Sequence, residues 1–275
     1  MKISPHPPLD RLQNFFILIK VLLDNNNYLS IFVTMENKHQ EADSNSATLY
    51  ESHCDEARIL QFLADIKVNN NRDWFHENRN RFDEVHAAFE QIVERLIAAL
   101  TTFDPEISTV TVKSTLYRFY RDTRFSLDKS PYKRHFGSYI NPRGKKSPHG
   151  GYYLHLEPGN CLIGGGAYCL ESPILKAVRK SIVDDIDQFR AIVEAPRFHE
   201  LFPVIGDEHL KTMPAGFPRD FAYPQYLRPK NFAVMHRLPD DFFFQEDWIT
   251  KAAQDFKVMK PFLDFVNETI DDYIR

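Results

Sequence analysis

Cysteine is scarce: Cys54, Cys161 and Cys169 are the whole complement of a 275-residue chain, and no two form a CxxC pair. That spacing excludes a disulfide framework and a cysteine-built structural zinc site, and a reducing cytoplasm is the expected compartment. Long hydrophobic runs are also missing. The strongest near the start, FFILIKVLL at 15–23, is too short to span a bilayer and is interrupted by Lys20. Asp24 and three asparagines follow it where a signal peptide would carry small residues and a cleavage site. Residues 1–54 are therefore expected to be a disordered or upstream extension, with Met35 as the native start, and no membrane partner is expected. Glycine is limited to 10 residues, and the triplet Gly164-Gly165-Gly166 lacks the Gly-Lys-Ser/Thr of a phosphate loop. Close backbone packing is the expectation there. No HExxH or HxxxH spacing links His149, His155 and Cys161, Ser126 has no glycine-flanked elbow, and Cys161 and Cys169 sit in an apolar context suited to packing. No metal site is expected, and the sequence leaves any cofactor unknown.

What is present is aromatic and charged. The 23 phenylalanines and 12 tyrosines supply a core for one α+β domain over residues 55–275. Apolar positions at helical spacing predict helices over about 55–67 and 78–103, the latter with a stripe of Phe82, Val85, Phe89, Ile92, Leu96 and Leu100. Asn70 and Asn71 read as caps of a short helix between them. Val, Thr, Tyr and Phe enrichment predicts one or two strands in 107–121 and another over 132–140. Pro158-Gly159 then marks a type II hairpin turn. In the strand before it, Tyr152, Leu154 and Leu156 share one face, and Tyr153, His155 and Glu157 the other. Ser172-Pro173 starts a helix, with the hydroxyl expected to cap it. A helix over 186–194, a strand at 232–236 and a C-terminal helix at 247–271, continuing past Pro261, complete the pattern. The expected fold is an antiparallel sheet from the middle of the chain covered by N- and C-terminal helices.

The chain is organised around residues 117–135, YRFYRDTRFSLDKSPYKRH. From Lys113 to Lys146 there are ten basic and two acidic residues, a local charge of +8 in a chain whose net charge is −4. An anionic partner or a large internal ion-pair system follows from that asymmetry. As an anion site, Arg118, Arg121, Arg124, Lys129, Tyr132 and Lys133 would grip phosphate or carboxylate oxygens. Were the protein an enzyme, Asp122, Tyr120 or His155 would handle a proton. As a single-stranded nucleic-acid module, Tyr117, Tyr120, Phe125 and Tyr132 would stack bases, although a pI near 6.3 argues against a wholesale nucleic-acid coat. The structural alternative pairs Arg121 and Arg124 with Asp122 and Asp128 in the turns. Convergence of the cations near His155 and Glu157 would favour catalysis, an open tyrosine-lined groove the nucleic-acid module, and acidic pairing the structural alternative.

Five segments in order, FLADIKVNNNRDWF at 62–75, YRFYRDTRFSLDKSPYK at 117–133, GYYLHLEPG at 151–159, GGGAY at 164–168 and GDEHLK at 206–211, carry a resemblance. From about 59 to 270 the chain resembles DUF2461, a domain-of-unknown-function family found mainly in bacteria. Leu127 departs from the pattern, which has lysine there. The resemblance implies the extent of the domain and no activity.

Overall fold

The structure, a computed structural model, describes residues 54–275. The expectations for the run at 15–23, for Met35 and for the N-terminal extension fall outside those residues.

Helix α1 (Asp55–Val68) buries Ile59, Leu60, Leu63 and Ile66, as its spacing requires. In the short α2 (Arg72–Glu77), the Asn71 side chain accepts from the Trp74 amide at 2.9 Å and caps the helix. Asn70 is used differently. Its side chain donates to the Tyr132 carbonyl and accepts from the Tyr132 amide, each at 3.0 Å, tying the basic segment to α2. The long α3 (Arg79–Thr101) lays its Phe82–Leu100 stripe against α1 and the sheet.

The strands expected in 107–121 do not form. Pro105–Thr109 is a 3-10 turn and Val112–Thr115 a one-turn helix, α4. Their serine and threonine hydroxyls explain this, since Ser108, Thr109, Ser114 and Thr115 each donate back to a carbonyl three residues earlier. Such local bonds offer the backbone an alternative to a strand ladder. Residues after Leu116 do run extended, but they pair only through the single bridges Leu116–Ser138 and Tyr120–Tyr132.

β1 (Phe136–Ile140), β2 (Gly151–Leu156), β3 (Leu162–Ala167) and β4 (Phe232–Arg237) form one antiparallel sheet in the order β1-β2-β3-β4. The β2–β3 turn has Gly159 at φ +74°, the left-handed position a type II turn demands. Between β3 and β4 lie α5 (Ser172–Asp184), α6 (Ile186–Val193), α7 (Pro196–Leu201) and the single turn α8 (Pro224–Leu227). Helix α5 begins as expected, but Glu171 occupies the capping position and no side chain caps it; Ser172 is already inside the first turn. The last helix, α9 (Trp248–Ile274), runs through Pro261, with Met259, Phe262, Leu263, Phe265 and Val266 buried on both sides of the proline. The result is an α+β fold with one contiguous core.

The two sheet faces differ in chemistry. Phe136, Ile140, Tyr152, Leu154, Leu156, Ile163, Val234 and Phe232 share the face turned to α3 and α9. There Phe136 meets Phe89 at 5.2 Å, and Tyr152 meets Phe256 at 5.3 Å between ring centres. Gly165 lets the helix approach, because a Cβ there would stand 2.5 Å from Met259 Cε. The other face presents Gly137, Tyr139, Tyr153, His155, Gly164 and Met235.

Candidate functional site

That second, polar face is covered by chain rather than helix. Residues 117–133 double back on themselves: the Arg121 amide donates to the Pro131 carbonyl and the Lys133 amide to the Phe119 carbonyl, both at 2.9 Å. The Tyr117 amide donates to Gly137 of β1 at 3.1 Å, which fastens this arm to the sheet. Gly137 leaves the room required, since a Cβ there would lie 3.0 Å from the Tyr153 hydroxyl and 3.5 Å from the Tyr117 ring.

Between the sheet, the basic arm and residues 145–149 lies a small cleft that opens to solvent. Tyr117, Tyr139, Tyr153 and Tyr168 provide its aromatic walls, with Lys145 and Cys169 also on the lining. The Tyr139 hydroxyl donates to the carbonyls of His149 and Gly166 at 3.0 and 3.1 Å, and the Tyr168 hydroxyl to Asp207 at 2.7 Å. Burial raises the pKa values of Tyr117, Tyr139, Tyr153 and Tyr168, so all four phenols keep their protons at neutral pH. They act as donors and ring surfaces.

Two ammonium groups approach the Tyr117 ring, Lys133 Nζ at 5.4 Å and Lys145 Nζ at 5.5 Å from its centre. Lys145 also donates to the Leu116 carbonyl. Burial, with Lys145 and Arg118 adding repulsion, lowers the Lys133 ammonium to about 8. Behind Tyr153 the polar face continues inward. The Tyr153 hydroxyl shares a 2.9 Å hydrogen bond with His155 Nδ1, and His155 Nε2 lies 3.2 Å from Glu157 Oε2. Asn160 donates to the same carboxylate oxygen at 2.8 Å. Burial works to raise the Glu157 carboxyl, but the bonds from His155 and Asn160 outweigh it and hold it below its ordinary value. His135 lies beside His155 with ring centres 4.4 Å apart. Burial first, then His155, Lys133 and Arg121, push the His135 imidazole well below its usual value.

The residues anticipated from sequence divide into separate settings. Lys133 lies against the Tyr117 ring without lining the pocket, with Arg118 near enough to repel it while stacking over Tyr120 at 5.4 Å. Arg121 turns inward, donating to Asp128 at 2.8 Å and to Ser130 O at 3.0 Å. Arg124 clasps Asp122, whose carboxylate also accepts from the Arg124 amide at 3.1 Å. Lys129 donates to the Thr123 carbonyl at 2.9 Å. Tyr132 is buried, stacked on Phe75 with ring centres 4.1 Å apart, and Tyr120 packs against both. Of the proton-handling candidates, His155 alone stands on the polar sheet face. Cys161 is buried packing, as expected, whereas Cys169 is exposed on the pocket lining.

Sequence reasoning overlooked Lys145, Tyr139, Tyr168 and His135 as partners of this site. Tyr139 could have been found from strand pairing, because the register sets it opposite Tyr153. The other three arrive from loops, where no period marks them.

No curated protein and no solved structure matches the chain. A family profile does, over residues 58–265, and by that match the chain belongs to the family described as "Conserved hypothetical protein (DUF2461)".

Proposed function

We propose that this protein binds a small anionic molecule, carrying a phosphate or carboxylate group, in the pocket between the basic arm and the polar sheet face. The carrying observation is the approach of Lys133 and Lys145 to one tyrosine ring, with Arg118 adding a third positive charge. Like charges held together in a partly desolvated setting repel, and an anion beside them removes that cost. The phenol rings offer a surface for an apolar or aromatic body. On this reading Lys133 and Arg118 act from beside the Tyr117 ring through their charge, while Arg121 and Arg124 shape the turns that carry the arm.

A thermal-shift series on protein passed over a chelating resin tests this reading with phosphate, pyrophosphate, nucleoside monophosphates and small aromatic carboxylates. Melting temperature should rise with concentration for at least one class, and Lys145→Met and Lys133→Met should each remove the rise. No shift with any class, or a shift that both variants retain, overturns it. A single-stranded oligonucleotide serves as the contrasting probe. Binding to it that collapses steeply with salt would favour a nucleic-acid partner instead.

A further inference from the structure

We propose that His135, His155 and Glu157 form a binding site for a divalent transition-metal ion of the zinc class. The strand register brings them together. Phe136 pairs with Leu156 at the end of the β1–β2 ladder, and one further step sets His135 opposite Glu157. His155 and Glu157, two apart on one strand, project to the same side. One ligating atom from each residue lies within 4.8 Å of the others. Ligand atoms about 2.1 Å from a tetrahedral ion stand about 3.4 Å apart, so the set must draw in by up to about 1.4 Å. Glu157, at the strand end and partly open to solvent, has the side-chain freedom to do so.

Donor chemistry selects the class of ion. Two imidazole nitrogens with one carboxylate suit zinc and its neighbours in the first transition row rather than calcium or magnesium, which prefer all-oxygen sets. The remote end of one ligand is already held, since the Tyr153 hydroxyl bonds His155 Nδ1, and Asn160 steadies the Glu157 oxygen that faces His155. Partners of that kind fix the tautomer and orientation of a metal-bound imidazole. His155 is buried while His135 and Glu157 remain partly accessible, which gives an ion a way in. The ion would replace the present His155–Glu157 hydrogen bond. Lys133 and Arg121 lie close enough to His135 to weaken a cation's affinity. Three protein ligands leave a coordination position for water or a small ligand.

The test uses the full chain, stripped on a chelating resin and titrated with zinc and with cobalt(II). With 11 histidines in the sequence, stoichiometry alone does not locate a site, so variants carry the assignment. Expected are one equivalent of tightly held ion, visible cobalt absorption of a four- or five-coordinate centre, and a raised melting temperature. His135→Gln and Glu157→Gln should each weaken binding at least tenfold, with the metal-induced rise in melting read against each stripped variant's own baseline. Tyr153→Phe should weaken it roughly tenfold through the lost support of His155. His199→Gln, on the exposed side of α7, should change nothing. Absence of stoichiometric binding, or binding that His135→Gln and Glu157→Gln both leave intact, overturns the proposal. Because the anion series is run without metal, it stands or falls separately.

Discussion

Replacing Arg121 with alanine should destabilise the protein by about 1.5–3 kcal/mol, and the figure follows from what the guanidinium touches. Arg121 donates to the Asp128 carboxylate at 2.8 Å, to the Ser130 carbonyl at 3.0 Å and to the Ser130 hydroxyl. Hydrogen bonds involving a charged group contribute about 1.5–3 kcal/mol each. The two charged side chains are 20% and 26% exposed, so solvent places these bonds at the lower end. Up to about 2 kcal/mol of arginine rotamer entropy returns on truncation and offsets part of the loss. Asp128 would not be stranded, because the Ser130 amide donates to it at 2.9 Å and Arg134 stands 3.7 Å away. That residual support keeps the cost below the 3–5 kcal/mol of a fully buried broken pair. Urea denaturation monitored by far-UV circular dichroism should show a lower midpoint at unchanged slope. A double-mutant cycle with Asp128→Ala should return a coupling of about 1–2 kcal/mol. A change within about 0.5 kcal/mol for Arg121→Ala, the range of ordinary surface substitutions, would refute the reasoning. The arginine would then belong with ligand recognition rather than with the turn.

Two further outcomes are expected. Phe89→Ala should cost about 3–5 kcal/mol in the same assay, since the ring is 2% exposed and packs on Phe136 between α3 and β1; an unchanged midpoint would remove it from the core. Thiol labelling at neutral pH should modify exposed Cys169 while sparing Cys161, which is buried, donates to the Glu157 carbonyl, and has its thiol pushed up by burial. A pocket-bound anion should slow the Cys169 reaction, and equal labelling of both cysteines by mass spectrometry would contradict the packing described.

How much of this was readable beforehand depends on how far apart the cooperating residues lie. Helices α1 and α3, the β2–β3 hairpin and β4 announce themselves through period and turn chemistry, which act within a few residues. The division of β2 into an apolar and a polar face was equally legible, and it is the polar half that faces the pocket. The strands expected at 107–121 failed because β propensity there competes with hydroxyls that close local turns. In the basic segment, composition identified the charge but not its direction. Asp122 and Asp128 capture Arg124 and Arg121 from two and seven residues away, whereas Lys133 meets Lys145 only after the chain folds over β1. His135 and Glu157 likewise come level through strand register, and nothing in their separation along the chain marks them.

The glycine triplet of β3 gives the sheet an uneven thickness. At Gly165 the backbone alone separates Met259 of α9 from the pocket, for the glycine lines the pocket on one side and touches the helix on the other. The partition there is one peptide deep. A change of side-chain volume at Met259, made in the interior and far from the basic arm in sequence, therefore reshapes the cavity floor as directly as a change in its lining, so the interior and the pocket wall cannot vary independently at this point.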